Sequence, residues 1–112
     1  MKNIINKSRE LSNQEIYLLT MSQKADSMRN HIGERIDVSA WALFEDVDKK
    51  TGEVHEVLSV LSTENETFST ISKTFMNDFM DMAELFHNDF AFEVITGKSK
   101  AGREFVTCVL AF

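Results

Sequence analysis

The 112-residue chain contains no proline, one cysteine and four glycines. With no proline, little glycine and no low-complexity stretch, nothing in it reads as a linker, and no internal repeat divides it. Its length is that of one domain, able to bury a core of its own. The lone Cys108 excludes an internal disulfide and any zinc site built on several cysteines; set in an apolar run, it reads as a small buried hydrophobe. No apolar run approaches the about 20 residues of a membrane-spanning helix. Met1 to Leu19 lacks the continuous apolar stretch of a secretion signal. The chain is therefore expected to stay inside the cell that makes it.

Catalytic signatures are missing too. His31, His55 and His87 fall in separate segments, and none has a partner at metal-binding spacing. Neither a Gly-x-Ser-x-Gly elbow nor a glycine-rich phosphate loop occurs. Asp78, Asp81 and Glu84 recur along one helix surface but read as a solvated face. The expectation is a protein that is not an enzyme, with no catalytic residue, no metal and no cofactor. A surplus of positive charge is also lacking: the formal net charge is −6, which taken alone argues against a nucleic-acid partner. The distribution says more than the sum. Residues 36–66 hold two basic groups against eight acidic ones, whereas residues 90–112 hold three against two and residues 1–35 six against four. The acid is concentrated in the middle of the chain.

Residues 1–11, with Lys2, Lys7 and Arg9, read as a mobile arm, and residues 12–112 as the folded domain. Glu15 to Met21 is mostly apolar between polar flanks and predicts a first strand. Ser22 to Glu34 is polar and reads as a loop. Arg35 to Val47, rich in Ile, Val, Trp and Phe, predicts a second strand, and Glu53 to Ser62 a third. Asp48-Lys49-Lys50-Thr51-Gly52 between them is turn chemistry and makes a hairpin. Ile71, Phe75, Phe79, Met82 and Phe86 recur at spacings of four, four, three and four, a single helical stripe suited to core packing, with Thr67 or Ser69 as its N-cap. Phe90 to Thr96 predicts a fourth strand and Arg103 to Phe112 a fifth, joined by the glycine-flanked turn Gly97 to Gly102.

The predicted fold is therefore all-β with one helix, in the order β-β-β-α-β-β with the helix between strands three and four. That is the order of the five-stranded oligonucleotide-binding barrel, which binds through the face of its second and third strands and through the loops joining strands one to two and four to five. An open α+β sheet is the rival architecture. Single-stranded nucleic acid needs rings for its bases and cations for its phosphates. Parity along the second strand puts Phe44 with Ala42 and Asp46 on the more polar side, where a ring is open; Phe68 follows the third strand. Trp41, on the opposite side, is expected to be buried and is carried as a further candidate. The cations are Lys98, Lys100 and Arg103 in the turn joining strands four and five, Lys49 and Lys50 in the turn joining strands two and three, and Lys73 on the helix.

Phe68-Ser69-Thr70-Ile71-Ser72-Lys73-Thr74, the amphipathic helix, the next strand, Gly97-Lys98-Ser99-Lys100-Ala101-Gly102 and the last strand together resemble the single-stranded DNA-binding proteins of small protein-primed Bacillus phages. The likeness runs from Ser12 to Phe112. It implies a replication protein, in the cytoplasm of a bacterial host, that coats displaced single strands without strong sequence preference and works beside other replication proteins. The tyrosines that touch DNA in that family match Phe44 and Phe68, keeping the ring and losing the hydroxyl, while a third falls near Thr51, which cannot stack. Some members carry an N-terminal arm tied to self-association, which implies that role for residues 1–11. A second reading follows from the acidic middle: a protein-interaction module, a phage-borne inhibitor or adaptor, that mimics nucleic-acid charge.

Overall fold

The computed structural model describes residues 2–112. In chain order these form β1 (Asn3–Lys7), α1 (Asn13–Thr20), β2 (Asp26–Ser27), a 3₁₀ turn (Met28–His31), β3 (Arg35–Val47), β4 (Val54–Ser62), β5 (Thr67–Thr70), α2 (Lys73–Leu85), β6 (Ala91–Lys98) and β7 (Glu104–Leu110). The chain is mostly β, its sheet curls into a half-barrel, and it has seven strands and two helices where five and one were expected. The order β-β-β-α-β-β is present, but it starts at Arg35 and runs β3, β4, β5, α2, β6, β7, an order compatible with an oligonucleotide-binding barrel.

β3 organises the sheet. It pairs antiparallel with β4 from Val38 to Val47, and at its other edge with β6 over Arg35–Asp37 and with β1 over Ala42–Glu45. β4 continues to β5 and β6 to β7, both antiparallel, so one long strand belongs to both halves of the curl. Alternation then divides the side chains. Val38, Trp41, Leu58, Val60, Phe68, Phe92, Val94, Val106 and Cys108 face inward, and Phe75, Met76, Phe79 and Ala83 of α2 close the core against them. The outer face carries a smaller cluster, Ala40, Ala42 and Leu61, under Leu19 of α1. Burial of each large side chain in such a core contributes about 1.5–3 kcal/mol.

Four expectations need correction. Glu15 to Met21 is not a strand: Asn13–Thr20 is helical, held by a capping box in which Ser12 Oγ accepts from the Glu15 N–H at 3.1 Å and Glu15 accepts from the Ser12 N–H at 2.9 Å. Arg9 donates twice to the same carboxylate, and Arg9 first, then the Ser12 N–H, hold that carboxyl down at about 2. Residues 3–7 are not a free arm: backbone pairing to β3 makes them an edge strand, fastened by Lys2–Asp46 at 3.0 Å and Asn3–Glu45 at 2.6 Å. Thr67–Thr70 is β5, paired to Leu58–Leu61, so α2 begins later and is capped by Ser72, whose Oγ accepts from the Phe75 N–H at 3.2 Å. Ile71 consequently lies outside the helix and is 66% exposed. Cys108 is buried as expected, its thiol pushed up to about 12 by burial and then by Asp78, which also accepts from the Thr107 hydroxyl.

The Met28–His31 turn supplies a clamp. His31 Nε2 meets Asp26 Oδ2 at 2.8 Å, Nδ1 meets Glu34 Oε2 at 2.6 Å, and the ring stands edge-on to Phe68 at 4.7 Å. Burial disfavours the charged ring, but the bonds to both carboxylates outweigh it and raise the proton affinity above the ordinary value of about 6.5. A folded-state value raised in this way gives stability that is complete below the ordinary value and is lost as pH rises through the raised one. The stability difference between wild type and His31→Ala, from urea midpoints between about pH 5 and about pH 9, is therefore expected to shrink as pH rises. A difference constant across that range would remove the ionic clamp.

Candidate nucleic-acid interface

β3 and β4 stay paired as far as Val47 and Val54 and end in the Asp48–Gly52 turn, where the Asp48 carbonyl accepts from the Gly52 N–H at 2.8 Å and the Asp48 side chain from the Lys50 N–H at 2.8 Å. That turn lifts Lys49 and Lys50 into solvent. β6 and β7 do the same with Lys98, Lys100 and Arg103: the Ser99 carbonyl accepts from the Arg103 N–H at 2.8 Å and closes the tip. Because β6 pairs antiparallel with the first residues of β3, its tip projects past Arg35, while the other tip extends past Val47. The register therefore puts the two basic tips at opposite ends of β3, and a bound strand touching both would run along the sheet between them.

Ion pairing decides which cations are available. Lys2, Lys7, Arg9, Arg35 and Lys73 each lie within 4.0 Å of a carboxylate, among them Lys73 at 3.7 Å from Glu56. Among the described residues the five cations of the two tips have no such partner. Lys73 instead shares a shallow groove with Glu45, Val54, His55, Glu56 and Ile71. Glu45 and Glu56 are cross-strand neighbours there, a repulsive pair that Lys73 and Asn3 relieve.

The rings chosen from sequence are closed. Phe44 does face away from the core, as parity required, but that face is covered: α1 packs on β3 and β4, Lys2 Nζ sits 5.5 Å from the ring centroid, and Phe44 is 4% exposed. Phe68 points inward, 5% exposed, against Val60 and the His31 edge. Trp41 is buried as well; its indole N–H donates to Asn88 Oδ1 at 2.9 Å and its ring meets Phe79 edge-on at 6.0 Å. None of the three offers a face to a base as folded. The outward face that includes Phe44 also hides Ser59, whose hydroxyl is fully buried and has no partner among the described residues.

One ring near the cations went unnoticed in the sequence. Phe105 is half-buried and lies directly across from Gly97, two residues along from Arg103. Counting register backwards from the Gly97–Gly102 turn would have found the pair.

A small curled β sheet that lifts unpaired cations on two hairpin tips has the outline of a polyanion-binding domain. The chain belongs to the family of phage single-stranded DNA-binding proteins: that family's model, described as Phage Single-stranded DNA-binding protein, matches residues 6–111. No curated protein and no solved structure matches the chain. Among the described residues no helix is long and apolar enough to cross a membrane.

Proposed function

We propose that this protein coats single-stranded DNA exposed during phage-type or plasmid replication, in the cytoplasm of a bacterial host, with little preference for sequence. Residues from Arg35 to Leu110 act as an oligonucleotide-binding barrel, and the chain serves binding, not catalysis. The observation that carries this is the set of five cations, Lys49, Lys50, Lys98, Lys100 and Arg103, which stand on the two hairpin tips without a carboxylate within 4.0 Å among the described residues, in a chain of net charge −6 that belongs to this family. In a chain this acidic, unpaired cations on two projecting turns gain most from a polyanion, because each phosphate they neutralise releases counterions. Lys73 contributes only if phosphate replaces Glu56. Binding through phosphates is indifferent to sequence.

Fluorescence anisotropy with labelled oligo-dT, a mixed-sequence single strand and a duplex, at two salt concentrations, tests the reading. Binding to both single strands, weaker for the duplex and falling steeply with salt, is expected. Absence of binding at the lower salt concentration would end it.

A further inference from the structure

Of eleven aromatic residues, eight are committed to the interior. Trp41, Phe44, Phe68, Phe75, Phe79, Phe90 and Phe92 are buried, and Phe86 packs against the core beside Phe90 at 6.4 Å between centroids. Tyr17, Phe105 and Phe112 remain. Tyr17 is 54% exposed but stands on α1, which carries no lysine or arginine. Phe112 follows β7, its carbonyl taken by Arg35 at 2.8 Å. Of these three, Phe105 stands at the foot of the turn bearing Lys98, Lys100 and Arg103, which have no carboxylate within 4.0 Å among the described residues, although Glu104 is the strand partner of Lys98.

Its position has a definite cause. In the β6–β7 ladder the pairs Phe92–Leu110, Val94–Cys108 and Thr96–Val106 alternate with Glu93–Val109, Ile95–Thr107 and Gly97–Phe105. The first set supplies the core and the second lies on the opposite face, where Val109 is 43% exposed while Thr107 is buried beside Asp78 of α2. A glycine inside a strand weakens it, and Gly97 has no left-handed backbone to justify it. Space justifies it instead: a Cβ at position 97 would stand 2.6 and 2.8 Å from two carbons at the far end of the Phe105 ring. The glycine lets the ring lie low across the neighbouring strand. The ring is held there outside both hydrophobic clusters of the described residues, at the base of a tip bearing Lys98, Lys100 and Arg103. A flat ring with Arg103 two residues before it, and Lys98 and Lys100 on the adjoining tip, offers a face for an unpaired base and charge for its flanking phosphates.

We infer that Phe105, propped on Gly97 at the foot of the basic hairpin, is a stacking platform for one base of the bound strand. The inference rests on the proposed single-strand binding and adds to it the ring that Phe44 and Phe68 cannot supply.

The test compares oligo-dT affinity across variants of the full chain. Phe105→Ala and Phe105→Leu are expected to bind about tenfold more weakly, since the stacking of one base is lost with the ring, while Phe105→Tyr keeps wild-type affinity and Tyr17→Ala changes nothing. Gly97→Ala retains the ring but displaces it, and is expected to bind more weakly than wild type. Phe105→Trp gives a direct readout: its added emission, over the background of Trp41 in wild type, is quenched when oligo-dT binds. Wild-type affinity in both Phe105→Ala and Phe105→Leu, or emission of Phe105→Trp indifferent to bound DNA, overturns the platform. Should the alanine variant unfold, the tryptophan variant still decides. Failure of wild type to bind at low salt is a separate outcome and removes the function on which the platform rests.

Discussion

Phe79→Ala is expected to cost about 3–5 kcal/mol, the range for truncating a fully buried phenylalanine, and to bring the protein close to its unfolding threshold. Phe79 is completely buried on the inner face of α2. Its ring centroid lies 5.2 Å from Phe90, 5.5 Å from Phe92, 6.0 Å from Trp41 and 6.5 Å from Phe75. Those partners belong to α2, β3 and β6 and the segment before β6, so one side chain ties the helix to both halves of the curled sheet. No neighbour can refill the gap without leaving its own contacts, which places the cost toward the upper end. Total stability of a domain is typically about 5–15 kcal/mol. The urea midpoint should drop sharply with its slope unchanged, and oligo-dT binding should be lost at temperatures where the variant unfolds. A change below about 1 kcal/mol would mean that the rings around Phe79 repack freely, contrary to the interlocked geometry.

How far the sequence foretold this arrangement depended on where the signal lay. The long strands β3 and β4, the turn between them and the last two strands came directly from β-rich runs and turn residues. The α2 stripe at Phe75 and Phe79 was legible because a period near 3.6 is unmistakable over that length. The Ile16–Leu19 run was misread, since a short apolar run fits helix and strand alike. Ser12 and Glu15, three apart, carried the capping-box signature that would have settled it. β1 had no signal: Asn3, Asn6 and Lys7 are indifferent strand formers, and the segment is ordered by pairing with β3, a partner distant in sequence. β5, only Thr67–Thr70, was absorbed into the helix cap because Thr and Ser suit both.

The candidate site followed the same logic. Its cations are on turns, which sequence locates well, and among the described residues the five tip cations have no carboxylate within 4.0 Å. Its rings depended on which elements cover which faces. Parity for Phe44 was correct, but parity cannot say that α1 lies across that side. The strand numbering also slid by one: with the barrel order beginning at β3, Lys49 and Lys50 occupy the first hairpin of the series, not the second, and Lys98 to Arg103 remain in the last.

Removing Lys98, Lys100 and Arg103 together, each to alanine, is expected to reduce the salt dependence of binding more than any other change of three charges. For single strands the logarithm of affinity falls with the logarithm of salt by about 0.7 per phosphate neutralised, so three lost contacts lower the slope by about 2. Affinity at low salt should fall correspondingly, by about 10²-fold, whereas at high salt the variant and wild type converge. Folding should be unaffected within about 0.5 kcal/mol, because all three are exposed and among the described residues none has a carboxylate within 4.0 Å. Lys49→Ala with Lys50→Ala should lower the slope by about 1.4 on the same reasoning. Lys73→Ala should lower it little, since its charge is already offset by Glu56 at 3.7 Å, and removing it leaves Glu56 facing Glu45. The measurement is anisotropy with oligo-dT over a salt series, paired with urea midpoints. A slope unchanged in the triple variant would place the phosphates elsewhere. A slope reduced as much by Lys73→Ala as by each tip cation would mean diffuse attraction with no site. Only a reduction concentrated at the β6–β7 tip, with the β3–β4 tip second, matches a strand laid across the curled sheet from one end of β3 to the other.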